Sequence, residues 1–129
     1  MRRVTQQEMA AVLRLDGPAR YAHFVKFVAD TEEVWSVWQD GWALFEDDGG
    51  RRLFPLWPAK VYAEACCSGE WAGCEARQIP LSELLDERLQ TLRSENVLVV
   101  VFPTPEGKGV IPELDALEES LMTELERYA

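Results

Sequence analysis

Histidine occurs once in this chain, at His23, and that scarcity excludes more chemistry than any other single feature. A Ser-His or Cys-His nucleophile pair would have to use it. His23 falls on a helical stretch beside Arg20 and Lys26 with no nucleophile motif nearby, so a boundary histidine is the simpler reading. Cysteine is also sparse. Cys66, Cys67 and Cys74 are odd in number and lack a CxxC spacing. Neighbouring helical residues diverge by about 100°, so Cys66 and Cys67 are poorly placed to share a tetrahedral metal ion. Three free thiols are expected.

Positive charge is short as well, with 13 basic against 23 acidic side chains and a net charge of −10. A field of that sign repels phosphate backbones and anionic lipid, so neither nucleic acid nor membrane is expected as a partner. No apolar run approaches the roughly 20 residues needed to span a bilayer. Met1-Arg2-Arg3 leads into polar Thr5-Gln6-Gln7-Glu8 rather than an apolar leader, which reads as a cytoplasmic protein. Gly107-Lys108-Gly109 resembles half a phosphate loop, but the first glycine is missing and Gly109 stands where Ser or Thr is required. The acids Glu46, Asp47 and Asp48 are consecutive, unlike the alternating ligands of an EF-hand loop. No cofactor, metal or catalytic residue is expected.

What is present is an ordinary apolar fraction, 47%, in 129 residues, enough to build a core without disulfides or metals. The organising stretch is Trp42 to Pro58. It reads as a strand, an acidic Asp47-Asp48-Gly49-Gly50 turn and a second strand. A four-residue loop would set Glu46 opposite Arg51 and Leu44 opposite Leu53. Pro55 should end the second strand's ladder, since it has no N–H to donate, and Pro58 should open a helix.

Ahead of the hairpin, Thr5 and Glu8 form a capping box for a short helix that stops near Asp16-Gly17. Pro18 opens a second helix with Tyr21, Phe24, Val25 and Val28 at helical spacing and Arg20, His23, Lys26 and Asp30 on the wetter side. Residues 34–39 read as a strand that turns at Asp40-Gly41 into Trp42, giving a three-stranded meander. After the hairpin come a helix carrying Val61, Tyr62 and Ala65, and a weak strand at Glu75 to Ile79. Ser82 is the expected N-cap of a helix bearing Leu84, Leu85, Leu89 and Leu92, closed by Asn96 in the left-handed conformation. Residues 97–102 are apolar without alternation, which predicts a central strand covered on both faces, Leu98 and Val100 included. Pro112 should open a last helix with Leu114, Leu117, Leu121 and Leu125 inward and its glutamates outward. The expected fold is α+β, one domain over residues 1–129, with helices on a mostly antiparallel sheet of four to five strands.

Gly41-Trp42, Pro55-Leu56-Trp57-Pro58, Tyr62-Ala63, Trp71, Ile79-Pro80-Leu81 and Phe102-Pro103-Thr104-Pro105 resemble the bacterial family known as domain of unknown function 2750. The resemblance runs from about Tyr21 to Gly109, leaving out the first and last helices. It implies a small α+β domain, bacterial and cytoplasmic, and it transfers no catalytic or binding residue.

Five tryptophans are many to bury in so small a chain. No basic residues interleave with them, so stacking on a nucleic-acid strand is not expected. A half-exposed indole makes a good protein anchor, and Trp57 and Trp71 are the candidates because strand geometry does not force them inward. With the acids Asp47, Asp48, Glu118 and Glu119 they form the expected partner-binding set. The reading is a non-enzymatic protein-binding module, an immunity-type or antitoxin-like inhibitor of a basic partner. The alternative is a small-molecule binder or enzyme with a pocket near the Trp57 strand-to-helix junction. The sequence leaves oligomeric state open.

Overall fold

The computed structural model describes residues 4–67, 72–105 and 109–127. Trp71 and the Gly107-Lys108 turn lie outside the described residues. The fold is α+β, with strands from both halves of the chain and helices packed over them.

Local chemistry sets the first two helices. Thr5 Oγ1 accepts the Glu8 N–H at 3.0 Å and starts α1 (Gln6–Leu13). Asp16 does not close α1; it caps α2 (Gly17–Thr31) instead, accepting the Ala19 N–H at 2.9 Å, with Pro18 in the first turn. One face of α2 buries Phe24, Val25, Phe27, Val28 and Ala29. Arg20 is buried too, contrary to its expected place on the wetter side, because its guanidinium turns back to donate to the Leu15 carbonyl.

The strands form two ladders. β1 (Glu33–Trp38) pairs antiparallel with β4 (Glu75–Pro80), from Glu33 opposite Pro80 to Trp38 opposite Glu75. β3 (Arg52–Leu56) is flanked by β2 (Phe45–Glu46), antiparallel, and by β5 (Leu98–Val101), parallel. The ladders meet where Trp35 and Trp57 exchange both backbone hydrogen bonds, at 2.8 and 2.9 Å. Of the expected meander the β2–β3 pairing stands, whereas β1 meets the hairpin's first arm through a bridge between Trp38 and Trp42 around the Asp40-Gly41 turn. The long partner of β1 is β4, whose residues lie beyond the hairpin.

Two further expectations about the sheet are corrected. The central strand is β3, whereas β5 lies at the margin and, among the described residues, has a single bridge from Val101 to Val110 beyond it. Val99, Val100 and Val101 are nevertheless all buried, and Leu98 is part-exposed. Pro55 does not end its strand: it sits inside β3, opposite Val100. Its carbonyl points toward β1 and accepts the hydroxyl of the fully buried Ser36 at 2.6 Å. Successive backbone units of a strand face alternate sides, so the missing N–H of Pro55 falls on the β1 side. The flanking Phe54 and Leu56 serve β5, so the β3–β5 ladder runs through Pro55 unbroken.

The hairpin register is shifted by one residue. Glu46 faces Arg52 and Phe45 faces Leu53, leaving Leu44 exposed. Asp47 causes the shift by organising the loop around itself. Its carboxylate accepts N–H groups from Gly49 and Arg51 as well as the Arg51 guanidinium.

Prolines precede two helices by more than expected. α3 (Lys60–Ala65) starts after an Ala59 N-cap and α6 (Leu114–Glu126) after a Glu113 N-cap, so Pro58 and Pro112 each stand one residue before the cap. Between them the chain enters α4 (Leu81–Glu83), widens into a π turn (Leu84–Arg88) and resumes as α5 (Leu89–Glu95). The N-cap is Pro80, and Ser82 lies inside the helix rather than capping it. Asn96 closes α5 at φ 58°, as its short polar side chain permits. One apolar cluster joins α2, β1, β3, β5, α5 and α6, with Trp57, Tyr62, Phe24, Phe54 and Phe102 among its largest members.

Candidate functional site

Trp57 is where the sequence reading fails most plainly. Its side chain is 0% exposed, and its Nε1–H donates to the Pro103 carbonyl at 2.8 Å. The backbone bridge to Trp35 holds the residue on one side. On the other, Phe102 (φ 59°) turns the chain sharply so that Pro103 presents its carbonyl inward. That turn is closed by Gly109, where a Cβ would lie 2.4 Å from the Val101 oxygen. The ring is therefore enclosed by its own fold instead of half-exposed, and it presents no face to a partner in this structure.

Among the described residues, the part-exposed indoles are Trp35 and Trp38 of β1 and Trp42 at its bridge to Trp38. Trp38 and Trp42 meet edge to face with centroids 5.0 Å apart and planes at 87°. Both carry a guanidinium. Arg77 of β4 lies 4.0 Å over the Trp38 ring while bonding Glu75 at 2.8 Å. Arg88 of the π turn lies 5.7 Å from the Trp42 centroid and 6.0 Å from that of Phe54. Basic residues do interleave with the tryptophans, but across the fold rather than along the chain.

The acids fall into two places. Asp47 and Asp48 occupy the hairpin tip, and Gly50, Arg51 and Arg52 beside them line a groove of about 680 Å³. Arg93, Leu98, Leu114 and Asp115 form its other wall. The Arg51 N–H groups hold the Asp47 carboxyl below the usual carboxylate range. Across the groove Arg93 binds Glu118 and, at 2.7 Å, Asp115. These two carboxylates, Glu118 first, make the guanidinium hold its proton more firmly. Glu118 is thus engaged within the molecule and half-buried. Glu119 is exposed and lines a separate groove between α2 and α6, of about 470 Å³, with Tyr21, Lys26 and Ser120.

The outer side of α6 joins these regions. Met122 is 48% exposed, with Glu118 and Glu119 one turn before it and Glu126 one turn after.

Nucleophile candidates are muted by their surroundings. His23 packs against Phe27 and Phe102, at centroid distances of 5.7 and 6.5 Å. Burial, reinforced by the neighbouring Cys67, pushes the Cys66 thiol up to about 11. Cys67 and Cys74 are raised as well, chiefly by burial. A reactive cysteine needs the opposite shift. Among the described residues, no three His, Cys, Asp or Glu side chains are placed to hold one metal ion, and no helix is long and apolar enough to cross a membrane.

Fold and surface together define a small α+β protein whose exposed chemistry is carboxylate-rich, with one indole–guanidinium corner. The chain belongs to the family described as protein of unknown function DUF2750, whose model matches residues 21–121. The match runs beyond the Gly109 limit read from the residues and takes in the first half of α6. No match is found among curated proteins.

Proposed function

We infer that the protein is a non-enzymatic binding module of the bacterial cytoplasm that masks a basic protein partner, as an immunity-type or antitoxin-like inhibitor does. The observation that carries this reading is the outer face of α6, where exposed Met122 is set among Glu118, Glu119 and Glu126. A flexible thioether in a carboxylate rim supplies an apolar contact inside a field that steers cations. The acidic hairpin tip at Asp48, and Asp115 beside the groove, extend the same sign of charge. Trp57 has no part in the contact. Trp71 stays in the proposed set on its sequence alone.

Affinity capture from the native host tests the reading, with wild type and a Met122→Ser/Glu119→Gln/Glu126→Gln variant used in parallel. A basic protein retained by wild type, released by moderate salt and not retained by the variant is the expected result. An acidic partner, or one held equally by the variant, would overturn it.

A further inference from the structure

Arg88 is a half-buried cation that has been given aromatic company instead of an anion. In a chain with 23 acidic residues, its neighbours three and four positions away are Leu84, Leu85, Thr91 and Leu92, and Glu83, five positions back across the π turn, makes no ion pair with it. By contrast Arg51, Arg77, Arg93 and Arg127 each rest on a carboxylate. Among the described residues, no ion pair or hydrogen bond reaches the Arg88 guanidinium. Of its guanidinium nitrogens, Nε alone is sealed from solvent without a partner. The terminal pair of nitrogens remains as an open fork.

The local backbone is unusual at the same place. The Leu89 N–H bonds the Leu84 carbonyl five residues back, making the π turn that ends on Arg88. Such insertions recur at functional positions. At 5.7 and 6.0 Å from the rings of Trp42 and Phe54, the guanidinium sits at the outer limit of cation–π attraction. The rings locate it without satisfying its donors. Trp42 is half-buried, and the half-buried Trp38 stands edge-on to it.

We propose that the Arg88–Trp42 corner binds a small ligand with a flat apolar or aromatic body and one carboxylate or phosphate group. The oxyanion takes the open fork of Arg88 through two parallel charge-assisted hydrogen bonds, and the body lies against the Trp42 indole. Docking relieves the cost of a partly desolvated cation. The surrounding charge of −10 narrows the choice. It opposes anions at long range, so a polyanion loses more than it gains, and a small ligand with one anionic head is favoured.

The test follows the Trp42 indole N–H and the Arg88 Nε–H by nuclear magnetic resonance in the full chain. Benzoate and phenyl phosphate are the probes. Acetate, inorganic phosphate and benzyl alcohol supply one half of the ligand at a time. Saturable shifts of both signals with at least one aromatic anion are expected, and the tighter of the two identifies carboxylate or phosphate as the natural head group. Arg88→Gln should weaken binding about tenfold or more, as loss of a charge-assisted pair implies. Arg88→Lys keeps the charge and stem without the fork, so it should weaken binding too, and it serves if Arg88→Gln fails to fold. The proposal is overturned if neither aromatic anion gives saturable shifts, if benzyl alcohol binds as well, or if the folded Arg88 variant retains wild-type affinity.

Discussion

Replacing Trp57 with alanine should cost stability and leave the acidic face unchanged. The side chain is 0% exposed inside the main apolar cluster, where its loss opens a cavity that Pro55, Pro58 and the Trp35 bridge are too rigid to close. Losses of this kind amount to about 3–5 kcal/mol. Small domains hold only about 5–15 kcal/mol in total, so the alanine variant should stand near the edge of folding. Trp57→Phe separates the two contributions. It retains most of the ring but removes the 2.8 Å hydrogen bond to the Pro103 carbonyl, for about 1–2 kcal/mol with some loss of volume. Urea denaturation followed by far-ultraviolet circular dichroism is the assay, because removing an indole disturbs the fluorescence baseline. The expected order of midpoints is wild type, phenylalanine, alanine, with a common slope. A shift below about 0.5 kcal/mol for alanine, the range of ordinary surface substitutions, would refute the packing argument.

Ser36→Ala strands the buried Pro55 carbonyl and should lower stability by about 1–3 kcal/mol; a midpoint equal to wild type would mean that the carbonyl finds another donor. The exposed Ser94→Ala is its control. Asp47 has a folded-state pKa below its usual 3.8, chiefly through the Arg51 backbone N–H, so its contribution is present above the unfolded value and is lost as pH falls through the lower folded one. Amide shifts of Gly49 and Arg51 should report this below about pH 4 and vanish in Asp47→Asn; titration of the carboxyl at or above 3.8 would contradict it. At mildly alkaline pH, Cys66 should react with a thiol reagent more slowly than Cys74, and unfolding in urea should equalise them. Equal rates in the folded protein would show that burial does not protect it.

Local chemistry was legible in the chain because it depends on neighbours within a few residues. The Thr5 cap, Pro18 in a first turn, the left-handed Asn96 and the inward leucines of α6 are contacts of that range. The apolar run around Val99 announced burial on both faces for the same reason, since composition alone demands cover. Sheet order was not written there. β1 takes β4 and β3 takes β5 across long separations, and a free backbone edge accepts any strand that the packing brings. Nor could the exposure of the tryptophans be read from spacing. Trp57 is buried with its indole bonded to the carbonyl of Pro103, far along the chain. Trp38 and Trp42 acquired Arg77 and Arg88 from other elements. Arg88 follows Asp86 and Glu87 directly in the chain, so nothing in the sequence marked it as lacking an ion pair. Only the tertiary structure, by laying its helix beside the hairpin, turned an unpaired arginine into a corner with an aromatic floor.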